Sequence, residues 1–313
     1  MKRILSIVLV VMLFVMVGCG SEPQVKEQKL SKLTIGLMPD TDSIPFIIAA
    51  EYGYFAEEGL EIELIPFKSA MERDVALQSG SLDGAVSDLL AVIFARSGGF
   101  SVYATSYTDG SYNLVAGGNT DIASAADLRG KEIAISRNTI IEYVTDEILA
   151  VNGVGEKDVS KVVIPQIPVR LEMLQSGNLA AAVLPEPMAS VAEFSGSRYV
   201  VGSGDLGINP GVIVFTDSAI KDKEQSIRAM YRAYDKAANY LNNTPRADYI
   251  DLIMERSGFP GPARDALVLK PYHFAGLPAE KDVDEAVRWV KNKGLAGDYR
   301  YDELVSKLLT EGK

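Results

Sequence analysis

The segment Leu77–Val86, LQSGSLDGAV, returns at Leu174–Val183 as LQSGNLAAAV, with seven of ten positions identical across an offset of 97 residues. Each copy reads as a helix end, a glycine and a short apolar run, the unit that recurs in parallel α/β sheets. The flanking segments keep the same order. In the first copy, KLTIGLM is a strand, SIPFIIAAEYGYF a helix, LEIELIPF a strand, SAMERDVALQSG a helix ending on Gly80, and LDGAVS a strand. In the second, KEIAISR, TIIEYVTDEILAVNG, SKVVIPQ, VRLEMLQSG (ending on Gly177) and LAAAVLP alternate in the same way. The pattern is βαβαβ, twice. Its period is too long for a solenoid, so it specifies two similar lobes with a cleft between them.

At 313 residues the chain exceeds one ordinary core, which suits that division. Lobe one is expected over 33–117 plus 210–313, and lobe two over 118–209. The stretches around Gly117–Gly118 and Gly202–Gly211 serve as hinges, since glycine absorbs dihedral change. The returning segment adds the strand VIVF and four helices, KEQSIRAMYRAYDKAANYLNN, PRADYIDLIMERSG, AEKDVDEAVRWVKNKG and YDELVSKLLTEG. Thr244 is read as N-cap of the second, with Pro245 in its first turn.

The N-terminus, MKRILSIVLVVMLFVMVGCG, has a basic start and an apolar run shorter than the roughly 20 residues a spanning helix needs. Residues 1–18 therefore read as a secretory signal. Cys19 is the single cysteine, with no thiol to pair with. Its context, Met16-Val17-Gly18-Cys19, resembles the bacterial lipoprotein box, although that box usually opens with Leu. The resemblance implies a lipid on the sulfur of Cys19, with residues 19–32 as a polar tether. The expected location is extracytoplasmic, anchored to the cell membrane.

Several function classes drop out. Lys and Arg number 31 against 42 Asp and Glu, a net charge of −11 that offers no grip on a phosphate backbone, so nucleic acid is not an expected partner. His273 is the only histidine, so no His-rich metal site is expected. There is no G-x-S-x-G elbow, and GSGDLG at Gly202–Gly207 lacks the following helix that would cradle phosphate. No catalytic residue, metal or cofactor is assigned.

The phrases IGLMPDTDSIPFIIAAEYGYFAEEGLEIELIPF, SAADLRGKEIAIS and AAVLPEPMASVAE, with the two LQSG segments, resemble the solute-binding lipoproteins of bacterial ATP-binding-cassette importers. The cluster they are most similar to binds nitrate, sulfonates, taurine or thiamine-type pyrimidines. The resemblance spans nearly the whole mature chain. It implies a two-lobe periplasmic-binding fold of type II, with mixed, mostly parallel sheets flanked by helices. It also implies a monomer that traps a small solute, a sulfonate, an amine or zwitterion, or a thiamine-type pyrimidine, and presents it to permease and ATPase subunits. Enzymes of cofactor biosynthesis on the same fold, and sensor lobes that report to a membrane kinase, are the alternatives. The former belong inside the cell, against the export signal.

Ligands in open parallel sheets sit beyond the carboxyl ends of the strands, near helix N-termini. That rule selects Asp40, Asp42 and Ser43 after the first strand, Ser69 after the second, and Ser87 and Asp88 after the first repeat. In lobe two it selects Arg137, Asn138 and Thr139, then Glu186 after the second repeat, with Asn209 in the crossing. Ser69-x-x-Glu72 and Thr139-x-x-Glu142 also fit capping boxes, and Asp88 suits an N-cap. Asp40 and Asp42 favour an ammonium or aminopyrimidine, Arg137 favours an anion, and a zwitterion satisfies both. Arg170 is expected to pair with an acid of lobe two.

Overall fold

The computed structural model describes residues 30–309. The signal segment, Cys19 and the tether up to residue 29 lie outside the described residues. Two five-stranded sheets share one topology. The first holds β1 (Leu33–Leu37), β2 (Ile62–Pro66), β3 (Gly84–Asp88), β4 (Val102–Tyr107) and β10 (Gly211–Thr216), in the order β2-β1-β3-β10-β4. The second holds β5 (Tyr112–Ala116), β6 (Glu132–Ile135), β7 (Ser160–Val163), β8 (Ala181–Pro185) and β9 (Arg198–Gly202), in the order β7-β6-β8-β5-β9.

In each sheet the first three strands run parallel, which requires helical crossovers. These are α1 (Ile44–Glu51), α2 (Ala70–Gln78) and α3 (Leu89–Ser97) in lobe one, matched by α4 (Ile140–Val151), α5 (Ile167–Gln175) and α6 (Met188–Phe194) in lobe two. Covered on both faces, β3, β5 and β8 are buried throughout. The duplicated phrase folds as read. Helices α2 and α5 stop at Gln78 and Gln175, and Gly80 (φ 78°) and Gly177 (φ 76°) take the left-handed conformation that turns the chain into the next strand.

One boundary differs from expectation. Strand β5 pairs antiparallel with β8 and β9, so Tyr112–Ala116 belongs to lobe two and the first crossing is 108–111. Gly117 lies inside lobe two, donating its N–H to Ala180 O at 2.9 Å. The second crossing, 203–210, falls within the expected Gly202–Gly211 stretch, and it delivers β10 between β3 and β4. Each crossing thus feeds the antiparallel strand of the sheet it enters.

Among the later helices, α7 (Glu224–Asn243) and α8 (Ile250–Ser257) pack on α1, and α9 (Glu280–Asn292) packs on α3. Thr244 closes α7 rather than capping α8, which begins after a short 3₁₀ turn at Arg246–Asp248. The last expected helix is one turn, Tyr301–Leu304, after which Val305 bridges Ala104 of β4.

The lobes are shut against each other. Thr41 donates its N–H to Glu186 O at 2.9 Å, Ile167 to Lys68 O at 3.1 Å, and Gln166 Nε2 reaches Glu72 Oε1 at 3.3 Å. Each of the two buried apolar clusters draws residues from both lobes.

Candidate functional site

The carboxyl ends of the parallel strands meet at the seam, as open α/β sheets require of their binding crevices. A tight cavity of about 30 Å³ lies there. Lobe one lines it with Met38, Asp40, Arg73, Ser87 and Asp88, and lobe two with Tyr112, Ser136, Thr139, Pro165 and Arg170, among others.

Two buried arginines dominate the walls. Arg73 on α2 and Arg170 on α5 are separated by 97 residues, the offset of the repeat, and their exposures are 3% and 0%. They are held alike. Arg73 Nη1 donates to Val86 O at 3.3 Å, and Arg170 Nε donates to Val183 O at 3.0 Å, two carbonyls that are again 97 residues apart. Their charges are treated differently. Arg73 Nη2 lies 2.8 Å from Asp74 and 3.4 Å from Asp88. Among the described residues Arg170 meets carbonyls only, with Nη1 on Ile164 O at 2.8 Å, and its Nη2 is buried without a partner. Burial alone, with no carboxylate to offset it, pulls the Arg170 guanidinium down to about 10. The expected pairing of Arg170 with an acid is therefore corrected. The repeat explains why, because the positions matching Asp74 and Asp88 are Leu171 and Pro185.

The carboxylates of the first loop divide. Asp40 lines the cavity, and burial pushes it up to about 6 against the pull of Arg73. Ser43 braces it, accepting the Met38 N–H at 3.0 Å and donating to Asp40 Oδ1 at 3.4 Å. Asp42 instead lies behind the cavity wall, packed against Gly110 and Gly211 at the two crossings. Tyr112 donates its hydroxyl to Asp42 Oδ2 at 3.2 Å, while Oδ1 is buried without a partner. Burial and the nearby Asp40 hold the Asp42 carboxyl well above the usual range. It lies in the structure's interior, not at a cleft mouth.

The remaining candidates separate into lining and bracing groups. Ser87 lines the cavity with a buried hydroxyl that has no hydrogen-bond partner among the described residues. Asp88 both caps α3, accepting the Ala91 N–H at 2.9 Å, and lines the cavity. Thr139 lines it too, while accepting the Ile141 N–H at 3.2 Å. Ser69 is a cap and not a lining group, accepting the Glu72 N–H at 3.3 Å. Arg137 and Asn138 are exposed and line no part of this cavity. Asn138 sits at a left-handed φ of 56° with its N–H on Glu142 Oε2 at 2.7 Å. Glu186 turns to a neighbouring cavity of about 430 Å³, its Oε1 accepting from Asn113 Nδ2 at 2.7 Å. Asn209 fastens the second crossing, with Nδ2 on Thr108 O at 2.8 Å and its N–H on Asp282 Oδ1 at 3.0 Å.

Comparison with known sequences agrees with this architecture. Residues 40–248 match the NMT1/THI5-like family profile. The chain belongs to the NMT1/THI5-like family. A relative in Brachyspira hyodysenteriae, assigned as an ABC-transporter periplasmic binding protein, is 24% identical over 260 residues, 78% of this chain and 75% of its own. One in Bacillus subtilis, assigned as an aliphatic sulfonates-binding protein, is 22% identical over 241 residues, 74% and 72% of the two chains. Among solved structures, the alkanesulfonate-binding protein SsuA of Xanthomonas axonopodis pv. citri, bound to MOPS, aligns with a TM-score of 0.74 at 17% identity, over 85% of this chain and 94% of its own. That likeness shows a shared fold, the two-lobe architecture described above.

Proposed function

We propose that this NMT1/THI5-like chain is the extracytoplasmic solute-binding component of an ATP-binding-cassette importer. In this reading it is held at the membrane by a lipid on Cys19, acts without catalysis as a monomer, and passes a small organic oxyanion to permease and ATPase subunits. The relatives assigned to ABC transport support the role. The observation that carries the solute class is Arg170. It is a fully buried guanidinium with no acidic partner among the described residues, and one of its nitrogens is unsatisfied at the wall of the seam cavity. A buried cation in that state is costly unless something neutralises it, and an oxyanion in the cavity does so. Ser87 supplies an unpartnered hydroxyl from the opposite lobe, so one head group bonds both lobes and favours the shut form.

Calorimetry on the mature chain with a panel of alkanesulfonates tests this. Arg170→Met is expected to weaken binding at least about tenfold, which is about 1.4 kcal/mol. Arg137→Ala, on an exposed side chain outside the cavity, is expected to leave affinity within about twofold. Unchanged binding by the Arg170 variant overturns the reading.

A further inference from the structure

The two arginine environments are unequal in a way that bears on the solute's charge. On the lobe-one wall, the single cation Arg73 is opposed by Asp74 and Asp88, and Asp40 stands beside them, so that wall has no positive charge to offer. Its remaining donor is the neutral hydroxyl of Ser87. On the lobe-two wall, Arg170 is the one cation, with carbonyls as its other partners. The repeat places Leu171 and Pro185 where lobe one has its carboxylates, so the asymmetry is written into the chain rather than arising from side-chain rotation.

We propose that the cavity selects its oxyanion by charge state, taking a head group with one negative charge and refusing the matching dianion. The proposal rests on the oxyanion reading of the site. One charge is neutralised by Arg170, and the far side of the head group accepts from Ser87. A second charge finds no free cation and faces Asp40 and Asp88 across a cavity too tight to admit a hydration shell. Like charges in a dry site disfavour each other strongly.

Alkyl sulfates and alkyl phosphates of the same alkyl chain form the test, because they match in shape and differ in charge. Methyl, ethyl and butyl pairs would be titrated into the mature chain by calorimetry at about pH 8.5, where a phosphate monoester has lost its second proton. The sulfate ester is expected to bind at least about a hundredfold more tightly than its phosphate partner. Asp88→Asn keeps an N-cap for α3, because Asn caps as well as Asp, while removing one carboxylate from the wall. It is expected to narrow the gap to about tenfold or less, and Asp74→Asn gives a second variant that leaves the cap untouched. Equal binding of both members by the wild type overturns the charge selection and leaves the oxyanion reading standing. Binding by neither class overturns the oxyanion reading itself and the selection with it.

Discussion

Asp42 is a carboxyl kept inside the protein with one oxygen unpartnered, and its cost depends on pH. Burial raises it well above its ordinary value, and raises Asp40 to about 6. A carboxyl whose folded pKa lies above its unfolded value binds its proton more tightly in the native state. The stability it contributes is present below about pH 4 and is lost as the pH rises through about 6 for Asp40, and higher for Asp42. Asp42→Asn is neutral at every pH, so it is expected to raise Tm at about pH 8 by at least about 2 °C and to change it little at about pH 4. Scanning calorimetry at the two pH values decides it, and an equal shift at both would sink the electrostatic account. Asp40, Ser87, Asp88 and Thr139 line the cavity because they follow strand ends and open helices, positions that are legible in the sequence. Arg73 is missed on that basis and Arg137 preferred. A mid-helix arginine looks like a solvated one, and only its alignment with Arg170 across the repeat distinguishes it.

At the scale of elements, α9 joins the two lobes away from the cavity. Trp289 Nε1 donates to Asp146 Oδ2 at 3.0 Å and stacks edge-on against Tyr143, both on α4. Just beyond α9, Lys293 lies 2.7 Å from Asp146 and 2.8 Å from Glu156, and Lys161 joins the same carboxylates with Glu142. Removing one of two cations from three largely buried or bridged carboxylates leaves charge unbalanced. Lys293→Met is expected to cost about 2 kcal/mol, or roughly 4–8 °C in Tm. Lys291→Met, whose pair with Asp298 stands in solvent, is expected to cost less than about 1 kcal/mol. Thermal melts of the two variants side by side measure the difference. Such a junction was not readable in advance, since charged residues on amphipathic helices give no sign of which partner helix they meet. The parallel strands were readable from apolar runs bounded by helix caps. Strands β4 and β5, mixed in polarity and flanking a crossing, were not, and the lobe boundary moved with them.

For the whole molecule, the hydrogen bonds of Thr41 with Glu186 and of Ile167 with Lys68 exist only when the lobes meet. Solution X-ray scattering of the solute-free chain is expected to show a larger radius of gyration than with saturating sulfonate. Arg170→Met is expected to keep the larger radius, because a ligand shifts a two-state balance only by its preference for one state. A radius unaffected by solute in the wild type would remove closure from the mechanism. The two-lobe plan itself was legible from one repeated phrase, since duplication of sequence and element order leaves few other architectures.

The interleaving of the sheets also sets an order along the chain. Lobe two is one continuous stretch, 112–202, whereas β10 reaches its place beside β3 only after that stretch has been traversed, with Gly211 opposite Asp88. The residues of lobe two are therefore all present before the strand that joins β3 to β4 in the sheet of lobe one. Pairing across so long a loop is entropically slow. The wall that carries Arg73 and Ser87 is thus completed by a strand from beyond lobe two, whereas the wall that carries Arg170 is complete within one continuous stretch.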